Sequence, residues 1–410
     1  MKKLKGNGYY DHVSFLLQGY ELLNIAKNDF DELKEGKCPN LNMFSIEENT
    51  LTNHNRFVFL PPYHEDKQDV KKIVPEDYPK ISQKDPRWLQ LRKGWISASN
   101  AATWMGFFEM ELLKHLDLPV SWHDPQKKID LILEIFEKNI QEKEHLNDHV
   151  NGDDITTIFG KKRICMEWGR IHEKNAIKVI LDLYPHLKIY ETGFYPLSEN
   201  ILNQLLLENS IFGKEEKNNF PKIGASPDGI IEDSITGIRM VLECKCPCPF
   251  IWNEEKKIYQ YMENKIPYQT IPIYYIPQVI LQMLCTGLDI CLFVCWTPEK
   301  GCSLFRVHFD KILCIQILQC IKHQFVDSYE KINQISSSKT ITRNYLNLKN
   351  ETNSEMKEYT EEGNEKVFTE TIIKMQNVKD YIKNNKLPPK ASDWCSSCSW
   401  RIKCKNKVMA

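Results

Sequence analysis

The sequence predicts an α/β fold in which a mixed central sheet is flanked by helices. Three observations carry that expectation. Residues 224–247 read as a hairpin: Ser226-Pro227-Asp228-Gly229 is a turn-forming run, Asp233 to Gly237 supplies a second turn, and Met240 to Cys244 reads as a buried strand. Ile290-Cys-Leu-Phe-Val-Cys-Trp296 is a continuous apolar run, suited to a central strand covered on both sides. Met166, Ile171, Ala176, Val179, Ile180 and Leu183 recur at helical spacing, and Pro277 suits the first position of another helix.

The chain has 410 residues, long enough for one sizeable core with appendages. Its 54 Lys and Arg nearly balance its 55 Asp and Glu, a formal net charge of −1, so any nucleic-acid contact must come from local patches. Fourteen cysteines spread over this length are not a small secreted disulfide framework, and Met1-Lys-Lys-Leu-Lys-Gly leads into no apolar segment. A soluble, reduced, intracellular protein of cytoplasm or nucleus is expected. The most apolar window, Tyr274 to Pro298, is interrupted by Pro277, Gln278, Gln282 and Asp289, so no membrane span is expected.

Residues 1–80 mix short helical patterns, such as Val13 to Ile25, with turn-rich stretches, and form an N-terminal extension with no assigned chemistry. From Asp85 a helix carries Trp88, Leu89, Leu91 and Arg92 and breaks at Gly94; Ser99 is then read as the cap of a second helix starting near Asn100. An arginine beside a serine at a helix start suits an anion, although an N-cap and a surface ion pair would explain the same residues. Lys128 to Gln141 reads as an amphipathic helix and His145 to Asp154 as a polar loop. The helix over Arg163 to Leu183 presents Glu173 from an otherwise packed element, with His172 about 100° round from it. A polar loop containing Gly213 to Asn219 precedes the hairpin.

Within the hairpin, strand alternation puts Glu243 and Lys245 on one face, opposite Asp228. Charges interrupting a buried run are costly unless paired or metal-bound. Two carboxylates and an ammonium so arranged suit a hard divalent cation beside a positioned water, which is a hydrolase geometry. Cys246-Pro-Cys248 reads as structural thiols, and residues 250–272, rich in Lys and Tyr with Trp252, suit contact with single-stranded DNA. Gln278 and Gln282 share a helix face. Phe309 to Phe325 reads as a final core helix closing a core at 81–330; residues 331–385 form a charged linker and helical segment, and 386–410 a cysteine-rich tail. In that tail Cys395, Cys398 and Cys404 are spaced to cover three corners of a metal or cluster site.

Four separated segments resemble the YqaJ/lambda-type exonucleases of the PD-(D/E)xK nuclease superfamily: Asp85 to Ser99, Trp168-Gly-Arg-Ile-His-Glu173, Ser226-Pro-Asp-Gly229 with Leu242-Glu-Cys-Lys-Cys-Pro247, and Tyr275 to Met283. The resemblance spans roughly residues 81–310 and implies a restriction-endonuclease-like core. It implies a Mg²⁺- or Mn²⁺-dependent deoxyribonuclease acting 5′→3′ on duplex DNA ends in recombination, repair or replication, possible partners being single strands and a single-strand annealing protein. Glu173, Asp228, Glu243 and the Cys244 carbonyl would hold metal, Lys245 and Gln278 would position water, and Arg92, Ser99 and Ser226 would hold the 5′-phosphate. The tail triad is similar instead to iron–sulfur nucleases of the same superfamily. That likeness implies a 4Fe–4S cluster, with zinc as alternative, and Cys165 or Cys38 as fourth ligand. Two other readings stay open: an iron–sulfur-type single-strand or structure-specific nuclease, and a nuclease-fold DNA-binding protein without catalysis.

Overall fold

The computed structural model of the protein describes most of residues 2–108, Met110, Leu113, residues 119–123, Leu131, and residues 158–208 and 220–337. Among the described residues fourteen strands form three sheets. The main sheet has eight strands in the order β1 (Lys2–Lys3), β2 (Tyr10–Phe15), β14 (Gly301–His308), β13 (Ile290–Thr297), β10 (Arg239–Lys245), β9 (Gly229–Asp233), β6 (Leu187–Tyr190) and β4 (Phe57–Val58). It is mixed, as expected: β10 and β13 run parallel, as do β4 and β6, and the remaining pairs are antiparallel. A three-stranded sheet joins β11 (Phe250–Asn253), β12 (Ile258–Tyr261) and β3 (Glu35–Gly36), and another joins β5 (Ile96–Ser97), β8 (Ile223–Ala225) and β7 (Tyr195–Pro196).

The continuous apolar run of β13 is explained by burial on both faces. Cys291, Phe293 and Cys295 pack with the helices Ile276–Thr286 and Lys311–Ser337, while Val294 and Trp296 pack with the helix Ile158–Leu183. Strand β10 follows the same alternation, Val241 to one side and Leu242 and Cys244 to the other. Glu243 therefore points into the layer under the Ile276–Thr286 helix, and it is 1% exposed. The first long helix, Ile158–Leu183, begins before its apolar pattern and ends with it, and the second, Lys311–Ser337, begins two residues inside its pattern and ends beyond it. Asp310 opens the second by accepting the Leu313 N–H at 2.9 Å.

Two left-handed glycines follow helices, the first as the cap itself and the second in the turn beyond it. Gly287, at φ 69°, caps Ile276–Thr286, and Gly94, at φ 84°, follows Pro86–Leu91. The latter helix starts as expected, with Asp85 accepting the Arg87 N–H at 2.9 Å.

Some expectations differ from the fold. The Val13 to Ile25 pattern is not one helix: Val13 to Phe15 belong to β2, which pairs with β14, and only Gly19–Leu22 is helical. Pairing of β2 between β1 and β14 on the main sheet outweighs a short local periodicity. Ser99 is not a helix cap, since it lies within the 3₁₀ turn Ala98–Asn100 and its hydroxyl is 3.0 Å from that of Ser97. The region before β8 contains a helix, Glu199–Glu208. Apart from Leu131, the Lys128 to Gln141 pattern lies outside the described residues, as do the polar runs at 145–154 and 213–219, Cys38, and Cys395, Cys398 and Cys404.

Candidate active site

Glu243 is the centre of the site. A carboxylate this deeply buried needs its charge met by donors, and three side chains meet it. Gln278 Nε2 donates to Oε1 at 2.5 Å, Gln282 Nε2 donates to Oε2 at 2.5 Å, and the Lys245 ammonium donates to Oε1. Gln278 and Gln282 stand one helical turn apart on Ile276–Thr286, so a single helix face fills both carboxylate oxygens.

Lys245 lies two residues along β10 on the same face, with 23% of its side chain exposed. Its ammonium also stands over the Tyr275 ring, 5.0 Å from the centroid. Burial works to discharge it, but Glu243, Tyr275 and Asp228 together push its pKa above the usual lysine range, so it stays protonated.

Asp228 ends the turn before β9. Its backbone N–H donates to Leu242 O at 3.1 Å, and its Oδ2 accepts the Cys244 N–H at 2.6 Å, locking the turn to β10. Gln83 holds the turn from outside, donating to Pro227 O at 2.8 Å. Glu173 comes from Ile158–Leu183, which is oriented by a buried core. Trp168 is 0% exposed, and His172 lies between Trp168 and Trp296 with ring centroids at 3.8 and 5.4 Å. The His172 ring is satisfied as a neutral imidazole, its Nε2 3.0 Å from Leu41 O and its Nδ1 3.2 Å from Asn175 Nδ2. Burial lowers its pKa to about 3. His172 thus belongs to the core, not the site.

Glu173, Asp228, Glu243 and Lys245 act on one another electrostatically. Burial and then Glu243 raise the pKa of Glu173 to about 7, with Lys245 and Lys84 opposing. Burial and then Glu173 and Glu243 raise that of Asp228 well above the carboxylate range. Among the described residues no three His, Cys, Asp or Glu side chains already form a metal shell. The donor chemistry nevertheless fits a hard divalent cation, because mutually repelling carboxylates with shared protons are what such an ion would relieve.

The residues expected to hold a phosphate are positioned by β5. It pairs parallel with β8, Ser97 opposite Gly224, which brings the Ser97 to Ser99 segment alongside the strand leading into Ser226. Gly224 permits the close approach there: a Cβ would sit 2.1 Å from the Phe194 ring. The Ser226 hydroxyl is buried without a hydrogen-bond partner among the described residues. Arg92 is partly buried and its guanidinium stacks on Trp88, 4.2 Å from the centroid.

The cysteines divide into two groups. Cys246 is buried and its thiol donates to His172 O at 3.3 Å. Cys248 meets the exposed Cys165, whose pKa falls to about 7 chiefly through that hydrogen bond. Sequence reasoning gave Gln282 no distinct role and missed Tyr275, Gln83 and Lys84. The four-residue spacing of the two glutamines was the only signal available for any of them.

The match to known families falls on these same segments. Residues 87–289 match the model of the YqaJ-like viral recombinase domain. The match takes in Arg92, Ser99, Glu173, Ser226, Asp228, Glu243, Lys245 and Gln278. The chain is a nuclease, a hydrolase acting on DNA. Two solved structures of an alkaline exonuclease from Laribacter hongkongensis, one in complex with dAMP, are similar at 18% and 17% identity. Each alignment covers 62% of this chain and 97% of the other, at a TM-score of 0.36. No curated protein matches the chain. No helix among the described residues is long and apolar enough to cross a membrane.

Proposed function

We propose that this nuclease is a Mg²⁺-dependent exonuclease, with Mn²⁺ as a substitute, that degrades duplex DNA ends 5′→3′ during recombination or end processing. The observation that carries it is the convergence of Glu173, Asp228 and Glu243 on a lysine that remains protonated. Glu173, Asp228, Glu243 and the Cys244 carbonyl would hold the cation, which supplies Lewis-acid charge at the scissile phosphate when bound. Lys245, being charged, is a donor and not a base: it steadies the attacking water and the charge that develops on phosphate oxygens. Gln278 uses its amide N–H on Glu243 and keeps its amide oxygen as an acceptor for the same water. Ser226, Ser99 and Arg92 would receive the terminal 5′-phosphate, and the unpartnered Ser226 hydroxyl supports that reading.

The test is end-labelled duplex DNA, with and without a 5′-phosphate, incubated with Mg²⁺ or EDTA. Cleavage from the phosphorylated 5′ end in Mg²⁺ alone is expected. Cleavage in EDTA, or from 3′ ends only, would overturn the assignment. A tail cluster held by Cys395, Cys398, Cys404 and Cys165 is a separate proposal, supported by the accessible, acidified Cys165 thiol two helical turns before Glu173. Protein purified without oxygen should then carry about four irons per chain. One zinc would make it a zinc site, and neither metal in active protein would dismiss it.

A further inference from the structure

The largest rings in the core, Trp104, Trp168, Trp296, Phe293 and Phe305, are fully buried. A second set of aromatics is not. Tyr275, whose face meets the Lys245 ammonium at 5.0 Å, is 4.5 Å from Tyr274 between centroids; Tyr274 is 4.9 Å from Trp122; and Phe108 lies 6.0 Å from Tyr274 and 6.2 Å from Trp122. All four are partly exposed, and Val120, 44% exposed, flanks Trp122. Tyr274 and Tyr275 occupy the single turn Ile273–Tyr275 that leads into the Gln278 helix. Phe108 follows the Ala101–Trp104 helix, which continues directly from Ser99. The row thus begins at the catalytic lysine and reaches the element that carries the phosphate-pocket serine.

We propose that Trp122, Tyr274 and Tyr275, backed by Phe108, form a stacking platform for unpaired nucleobases of the strand whose backbone is presented to Lys245. The proposal rests on the nuclease reading above and assigns that site a further binding surface. Aromatic faces accept every base, so such a platform grips a strand without reading its sequence, at roughly 1–3 kcal/mol per stacked base. The rings already order one another through edge-to-face contacts, Trp122 against Tyr274 at 84°, so little side-chain freedom remains to be lost when a base arrives. A base stacked beside Tyr275 would hold its own phosphodiester next to the ammonium that the same ring faces.

The test measures affinity by fluorescence anisotropy with the full chain in EDTA. One labelled duplex carries a short single-stranded 5′ end; the other is identical except that its terminal nucleotides are abasic. Wild type is expected to bind the abasic end about tenfold or more weakly, the equivalent of one lost stack. Trp122→Ala and Tyr274→Ala should weaken binding of the intact end by a similar factor and close the gap between the two ligands, whereas Trp122→Phe should keep the gap. Equal binding of both ends by wild type overturns the proposal without any variant, so misfolding of Trp122→Ala cannot shelter it. A gap that persists in Tyr274→Ala, or a loss that is equal on both ligands, also overturns it and makes the row a packing element or a face for protein. Mg²⁺-dependent cleavage by wild type, run in parallel, separates the two readings. Its absence sinks the nuclease assignment, while cleavage without discrimination against abasic ends sinks the platform alone.

Discussion

Gln282 donates to Glu243 Oε2 at 2.5 Å from within a helix where it is itself 0% exposed. A glutamine in that position satisfies a buried carboxylate at no charge cost, leaving the Glu243 charge to be balanced by Lys245 alone. Gln282→Leu strands one carboxylate oxygen in the core, and about 1.5–3 kcal/mol of stability should be lost. Urea denaturation of the metal-free protein checks this, and an unchanged midpoint would mean that water replaces the amide.

Lys245→Ala and Asp228→Ala should abolish Mg²⁺-dependent cleavage and leave DNA affinity within a few-fold. On the proposed mechanism each would remove charge at the reacting phosphate and not the backbone contacts that dominate binding. Substantial cleavage by either variant, measured on end-labelled duplex, would remove that residue from the chemistry.

The acids give the metal-free protein a pH dependence of definite sign. Glu173, with its folded pKa raised to about 7, keeps a proton that the unfolded chain has already released above the ordinary carboxyl range. Its contribution to stability is therefore lost as pH rises toward and through 7. On the proposed function Mg²⁺ would replace that proton, so saturating Mg²⁺ should raise Tm more at pH 8 than at pH 6. Thermal scans at the two pH values decide it, and Glu173→Gln should remove most of the difference.

His172 has the opposite sign. Its folded pKa of about 3 lies below the ordinary histidine value, so its contribution is present above about pH 6.5 and is lost as pH falls. Between pH 6.5 and 5 wild type should lose about 2 kcal/mol more than His172→Gln, at about 1.4 kcal/mol per pH unit. Parallel loss in the two proteins would place the acid sensitivity elsewhere.

Arg92→Ala should lower the preference for a 5′-phosphorylated end by about 10- to 100-fold, the range of one charge-assisted contact. Cleavage of phosphate- and hydroxyl-ended duplexes by wild type and variant measures it directly. An undiminished preference would reduce Arg92 to its stacking contact with Trp88.

By itself the sequence determined the elements that are local in origin. The β9–β10 hairpin follows from two turn-forming runs around an apolar strand, the β13 strand from an unbroken apolar run, and the Gln278 helix from Pro277 at its start and Gly287 at its end. It also singled out Glu243 and Lys245, as charges set into an apolar run opposite Asp228, while Glu173 and Gln278 gained their expected roles from the resemblance of their segments. Only the tertiary structure decided the rest. Val13 to Phe15 became strand because β14 offered an edge, and His172 became a core residue because Trp168, Trp296, Leu41 and Asn175 close around it. Tyr275 joined the site because the sheet brings Lys245 beneath its ring. Such contacts join residues far apart in the chain, and neither periodicity nor turn chemistry records which distant partner will supply the missing neighbour.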